Sequence, residues 1–462
     1  MSALRDRHPD FMDMTERWEL CDALYEGEHG IHEEGEKYLP RLQDETDQAY
    51  QARLKLTPLF NGFFRTISGL RGMLFRRPLK IDVPDAIIPL IDDIDLAGTS
   101  LQQIAQEVVE DALIFGRVGL LVDYPRVESG STRADAQRLN HRTMIVQYDA
   151  EAIYNWRTSR INGATVLSHV RLEEDIEIQD ASDEFKIKTE KRYRVLDLDA
   201  GVYRQRVYKI QGEDEILIEE IYPRMNNAPM TFIPFIFIGV DCVGEEVEAP
   251  PLIDLATTNL HHYMQATSYE RGCFFSGLPT LFVSGVGDEC EAISIGGNLA
   301  NLLPRPDSRA WYVEVAGEFN ALRTNLEDKK REMAVLGARM LEQQQKGVES
   351  GIAIAQKHGG EESLLASMSQ TISIGLTKAM QWFCDWQGVT GDVKIELNRD
   401  FMPAGLSSQD MQALVAAWQA GAISQETLFD NLKAGEVINS DLTYEAEQER
   451  IASASPSMSG GL

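Results

Sequence analysis

Pro250-Pro251-Leu252-Ile253-Asp254-Leu255-Ala256-Thr257-Thr258-Asn259-Leu260-His261-His262-Tyr263 opens the stretch on which the reading of this 462-residue chain depends. The paired prolines suit a helix entrance, and Leu252, Leu255, Ala256, Asn259, His262 or Tyr263, Ala266 and Tyr269 then recur at helical spacing. The spacing predicts a helix to about Phe275, stopped by Gly277-Leu278-Pro279. Thr280-Leu281-Phe282-Val283-Ser284 reads as a strand ended by Gly285, and Trp311-Tyr312-Val313 as another, pairing within the chain or between copies. A second helix is expected from Phe319 to Gln345, with Leu322, Leu326, Met333, Leu336 and Met340 three, four or seven apart. Intact, it would be roughly 40 Å long.

Composition narrows the class. With 43% hydrophobic and 25% charged residues, the chain reads as folded and soluble, large enough for two to four domains. No apolar run has the length of a membrane span, and Met1-Ser2-Ala3-Leu4-Arg5-Asp6 lacks the apolar core of a signal peptide, which implies a cytoplasmic origin. Cys21, Cys242, Cys273, Cys290 and Cys384 form no close ligand pair and read as free thiols. His261 and His262 are adjacent, so a helix aims them differently and a metal site is not expected. The formal charge of −29, from 73 acids and 44 bases, disfavours a broad DNA-gripping surface. It is compatible with an acidic conduit that repels phosphates and limits sticking, or simply with solubility.

Before the decisive stretch, helices are expected over residues 11–29, ending near Gly27, over Asp47–Leu56, and from Pro58 through Leu70. Glu28–Pro40 reads as a turn-rich surface segment. Arg65, Arg71, Arg76, Arg77 and Lys80 form a locally basic region, better suited to a neighbouring subunit's acidic surface than to DNA. Asp92, Asp93 and Asp95 make an acidic linker without the Gly and distal Glu of a calcium loop. Ser100 and Gln103 form a capping box for a helix whose end Gly116 and Gly119 bracket, with a buried strand over Val118–Val122. After a polar loop at 126–142, short strands are expected at 144–146, 153–156, 164–172, 191–198 and 202–209, which predicts an α+β class with an antiparallel sheet. Glu173, Glu174, Asp175 and Glu177 resemble an acid/base or magnesium cluster, but a consecutive run on a surface loop fixes no constellation. Pro234 confines Phe232–Gly239 to an edge strand or an entrance to the long helix.

Gly285, Gly287, Gly296 and Gly297 lack the third glycine of a dinucleotide fingerprint and the lysine of a P-loop, so they read as turn glycines. Beyond the second helix, Gly347, Gly351, Gly359 and Gly360 interrupt the periodicity. Leu364, Leu365, Met368, Ile372, Leu376, Met380, Phe383 and Trp386 restore it, and Val393–Leu397 reads as a return strand. Ser407 and Asp410 cap a further helix, Gly421-Ala422-Ile423-Ser424 turns, and Thr427–Leu432 completes a helix, turn, helix unit with little positive charge. The polar end after Asp441 reads as mobile.

In order, Phe115-Gly116-Arg117, Leu121-Val122-Asp123-Tyr124-Pro125, Ile153-Tyr154-Asn155-Trp156-Arg157, Pro250-Pro251-Leu252-Ile253-Asp254-Leu255-Ala256, Gly277-Leu278-Pro279-Thr280 and Leu336-Gly337-Ala338-Arg339 resemble tailed-bacteriophage portal proteins. The resemblance runs through most of the chain and is nearest to a phage group labelled only as a domain of unknown function. It implies a portal fold with a wing at 1–249, a first stem helix at 250–276, a clip at 277–318 and a second stem helix at 319–345. A tunnel loop at 346–360, a long wing helix with a return strand at 361–400, a short helical crown at 401–440 and a mobile tail at 441–462 complete it.

The same resemblance implies a non-enzymatic homo-oligomer, a twelve-subunit ring (dodecamer) at one capsid vertex of the virion, made in the cytoplasm of the host bacterium. The ring would be the DNA channel for packaging and ejection. Its partners would be the terminase large subunit, the major capsid protein, a head-to-tail adaptor or tail protein, and double-stranded DNA held without sequence preference. Lys346, Lys357 and His358 of the loop and Lys329, Lys330 and Arg331 of the second helix are the DNA-channel candidates. No catalytic, cofactor-binding or metal-binding residues are expected. The alternatives are another structural protein of the capsid or neck, or a phage DNA-processing enzyme, for which no zinc triad, P-loop or serine elbow speaks.

Overall fold

A computed structural model describes residues 3–125, 138, 140–161, 163–180, 183–212, 214–277, 280–284, 309–313, 319–339, 363–399, 401, 408–419, 422–434, 437–438 and 442–454. The chain divides into two compact units, Met1–Asn398 and Arg399–Leu462.

In the larger unit, Pro9 starts helix α1 (Pro9–Glu26), which is capped by the His8 ring and closed by Gly27 at φ 86°. Its indole Trp18 Nε1 donates to Phe115 O at 2.8 Å and is fully buried. Helix α2 (Glu28–Glu34) follows at once, so the segment expected to be turns is largely helical. Seven residues with Ile31 as the one large apolar side chain carry no readable period. The burial of Ile31, rather than propensity, holds these roughly two turns in place. Helices α3 (Asp47–Leu56) and α4 (Gly62–Leu74) are capped by Thr46 and Asn61. Strand β1 (Lys80–Asp82) leads to helix α5 (Leu101–Phe115), whose Ser100 and Gln103 make both bonds of the expected capping box. Gly116 ends α5 in the left-handed region, φ 77°.

Strand β2 (Arg117–Asp123), buried along its whole length, is the centre of a three-stranded antiparallel sheet with β3 (Met144–Asp149). Four further strands, β4 (Ile153–Ile161), β5 (Ala164–Asp180), β6 (Asp183–Asp199) and β7 (Val202–Gln211), run on into β8 (Asp214–Ile221) as a five-stranded antiparallel meander. β8 was not anticipated: Ile216-Leu217-Ile218 between acids breaks the alternation that marks a half-buried strand. β9 (Arg224–Met225) and β10 (Ala228–Pro229) form a small turn, and β11 (Phe235–Gly239) pairs with β2 alone, at the sheet edge expected from Pro234.

The carboxylate run at 173–177 is a correction. It lies within β5, where Glu173 pairs with Lys191 of β6 and Glu174 is held by Arg194, with Nε to Oε1 at 2.5 Å. Tyr148 also donates to Glu174, and Asp123, Gln205 and Tyr203 extend the network, so Glu173 and Glu174 are strand-to-strand ties. Each charge of this network has a partner, as its desolvation requires.

The long helices follow: α6 (Ile253–Gly277), β12 (Thr280–Ser284), β13 (Arg309–Val313), α7 (Asn320–Ala338) and α8 (Leu364–Gln387). α8 packs on the three-stranded sheet so closely that a Cβ at Gly375 would lie 2.5 Å from Ile238 Cδ1. Its hydroxyls Ser369, Ser373 and Thr377, four residues apart, bond the backbone of Asn398, Leu397 and Ile395. This stripe holds strand β14 (Lys394–Glu396) against β1 in antiparallel register.

In the smaller unit, α9 (Ser408–Gln419) and α10 (Gln425–Ala434) are followed by α11 (Tyr444–Ala454). The stretch expected as a mobile tail therefore contains a helix, with Tyr444 edge-on to Phe429 at 5.6 Å. Ser407 lies outside the described residues; Ser424 caps α10 through Thr427 N at 3.0 Å.

Candidate functional site

Helices α6 and α7 pack against each other, and the chain between them returns on itself through β12 and β13. These strands are antiparallel, from Thr280 opposite Val313 to Ser284 opposite Arg309. The expected strand at Trp311-Tyr312-Val313 thus pairs within its own chain. Residues 285–308 and 314–318 of the expected clip, and 340–345 at the end of the expected second helix, lie outside the described residues. At 25 and 19 residues, α6 and α7 measure about 37 and 28 Å.

The pair is rooted at one end. Leu252, Leu255, Ala256, Asn259, His262, Tyr263, Ala266 and Thr267 are buried, whereas Ser268, Glu270, Arg271, Cys273 and Phe274 are exposed. On α7 the buried residues are Leu326 and Met333. Between them sits the start of α4. Asn259 Oδ1 accepts from Gly62 N at 2.8 Å and Phe63 N at 3.0 Å, while its Nδ2 donates to Phe60 O at 3.0 Å. One amide from a different helix thus satisfies the free Phe63 N–H at a helix start and shares the Gly62 N–H with Phe60 O, 3.0 Å from it. A Cβ at Gly62 would come within 2.9 Å of Met333 Sδ on α7 and 3.3 Å of Asn259 Oδ1 on α6, and one at Gly337 within 2.9 Å of Thr66 Cγ2, so α4 is pressed against both long helices. At the exposed end, the Phe319 ring lies on Gly272, and Phe282 and Trp311 stack at 6.2 Å, both half-exposed.

The two histidines part as helix geometry requires: His261 is exposed and His262 buried. Burial, then the charge of Lys330, pushes the His262 imidazole down to about 4, and it packs against Phe60 at 5.6 Å. Among the described residues, no group of three or more His, Cys, Asp or Glu side chains is arranged to hold a metal.

Of the DNA-channel candidates, Lys329, Lys330 and Arg331 lie together on α7. Lys330 bonds Glu327 at 3.2 Å and lies over the Phe60 ring at 5.1 Å; Arg331 is exposed and bonds Asp328 at 3.2 Å. Lys329 is half-buried, and Glu327–Glu332 carries as many acids as bases. Lys346, Lys357 and His358 lie outside the described residues. The basic region near residue 70 is engaged within the chain: Arg71 pairs with Glu110, Lys80 with Glu396 at 2.8 Å, and Arg65 lies over Phe60.

Two joints carried by the recognisable segments escaped sequence reasoning. Arg117 is buried with its guanidinium between Trp156 at 3.9 Å and Phe237 at 4.1 Å, and His8 stacks on the Trp156 ring at 4.1 Å. Burial lowers the Arg117 pKa to about 9, and the two ring faces offset part of that cost. A Cβ at Gly116 would meet Ala249 O at 2.9 Å, so glycine there answers both to its φ and to the chain leading into α6. The available signals were an arginine beginning an apolar strand and an amide on the apolar stripe of α6.

A family model described as a domain of unknown function (DUF4055) matches residues 251–387, the span from α6 through α8. No curated protein matches. Among solved structures, the chain is similar to one in the virion of a native gene transfer agent particle, at 12% identity and TM-score 0.39, covering 86% of this chain and 96% of that one. A chain in the neck of the native particle computed with C12 symmetry gives 12% and 0.39, covering 80% and 89%. A chain in the neck of the empty particle computed with C6 symmetry gives 13% and 0.38, covering 79% and 88%.

Proposed function

We propose that this chain is a portal subunit: copies close into a ring at one capsid vertex and enclose the passage through which double-stranded DNA enters and leaves. The observation that carries this reading is the α6–α7 pair, anchored at one end by Asn259 and joined at the other through a β pair. Long helices give a rigid wall, and the order of the recognisable segments along the chain matches that of portals. In this reading α6 and α7 are the stem, and the region between them is the clip. Residues 1–249 and 361–400 are the wing, 401–440 the crown, 441–462 the tail and 346–360 the tunnel loop.

The subunit works without catalysis. Twelve copies would hold the aperture, the clip would dock the terminase large subunit during packaging and the adaptor or tail afterwards, and the wing would meet the major capsid protein. Excess acid keeps phosphate from adhering to the wall, while Lys346, Lys357 and His358 make transient contacts. On α7, Lys329 is the cation best placed to add to them, because Lys330 and Arg331 are matched by Glu327 and Asp328.

Electron microscopy of the purified chain tests the assembly: rings with an axial hole are expected, and a stable single-chain particle overturns the reading. Lys346→Gln/Lys357→Gln in intact rings should change packaging or genome retention. Unchanged packaging and release would remove the DNA role of those two residues.

A further inference from the structure

Among the described residues, the five-stranded sheet has two edges with no further strand, β4 and β8, and they carry opposite charge. An open edge offers unpaired backbone donors and acceptors, and charged side chains normally restrict what can add to it. On β4 the first part of the edge is occupied, because His8 N donates to Tyr154 O at 2.9 Å. Beyond it, Arg157 through Ile161 is exposed, with Arg157 and Arg160 as its charges. β8 carries Asp214, Glu215, Glu219 and Glu220, with Leu217 exposed between them, and Glu215 accepts from Leu4 N at 3.2 Å. Arg204 does not neutralise that edge, since it already bonds Asp197 at 3.0 Å and Asp199 at 3.2 Å as well as Glu220 at 3.3 Å.

Two β8 edges repel each other, as do two β4 edges, and a symmetric two-copy contact through like edges is disfavoured. The favourable match is β8 of one copy with β4 of the next. That contact is heterologous, and a heterologous contact repeated by rotation gives a ring where the rotation closes and an open filament where it does not; the ring reading requires the first. From this charge complementarity we infer that the β8 edge of each copy docks on the Arg157–Ile161 edge of its neighbour, the occupant of each edge being a second copy of this chain. The inference rests on the ring reading and names a surface that would join its members.

The test uses two full-length variants, Arg157→Glu/Arg160→Glu, in which both edges are acidic, and Asp214→Lys/Glu219→Lys/Glu220→Lys, in which β8 keeps only Glu215 as an acid and both edges are net basic. Assembly is followed by light scattering and electron microscopy, with circular dichroism to verify folding. Each variant alone should need at least about tenfold more protein to assemble than the unmodified chain. Their equimolar mixture should regain rings of alternating subunits, because each edge again faces its opposite, and that recovery also shows that both variants were folded. Rings formed equally well by either variant alone, or no recovery on mixing, would overturn the docking surface while leaving the ring reading standing. An unmodified chain that stays single overturns both.

Discussion

Replacing Asn259 by alanine should loosen the root of the long-helix pair. The side chain makes three hydrogen bonds at a buried position, two accepted from Gly62 and Phe63 and one donated to Phe60. Gly62 N and Phe60 O keep their mutual bond in the variant, so Phe63 N is the group left without a partner; at about 1 kcal/mol net per bond and somewhat more for an orphaned group, the loss is about 2–3 kcal/mol. At about 1.4 kcal/mol per factor of ten, local opening should become roughly 30- to 150-fold more frequent. Hydrogen exchange read on peptides covering Gly62–Phe64 measures this directly, since amide protection reports local opening. Asn259→Asp keeps the acceptor but loses the donor to Phe60, and should fall between alanine and the native residue. Exchange at Gly62 and Phe63 within about threefold of native in the alanine variant would refute the reasoning, for it would mean that packing alone holds these amides.

Arg117→Met should be close to neutral in melting temperature, because the lost cation–π contact is matched by removal of a desolvated charge, whereas Arg117→Ala leaves a hole between Trp156 and Phe237 and should cost about 2–4 kcal/mol. His262 is held at about 4, below an unfolded imidazole near 6.5; as pH falls through that window the unfolded chain takes up a proton the folded one refuses, so stability is full above it and declines on the order of 3 kcal/mol across it. His262→Gln should flatten that decline in urea midpoints measured at successive pH values. Gly375→Ala should cost about 1–3 kcal/mol in thermal or urea melts by forcing a methyl onto Ile238, and Ile238→Val in the same chain should recover part of it.

Where chemistry is local, the sequence alone determined the outcome. The capping box at Ser100 and Gln103, the stop at Gly116, the entrance at Pro250-Pro251 and the edge position forced by Pro234 depend on groups within a few residues of one another. The apolar spacing of 252–269 likewise settled that α6 is a helix with one buried face. Tertiary structure alone decided what has no local partner. α2 exists because Ile31 is buried, β5 and β6 extend through their charges because Glu173 and Glu174 meet Lys191 and Arg194 across strands, and Asn259 became a cap only by meeting a helix start 196 or more residues away. The opposite signs of the β4 and β8 edges were written in the sequence, but that they bound the same sheet was not. Periodicity reports which face of an element is buried; it carries nothing about which distant group will share that face.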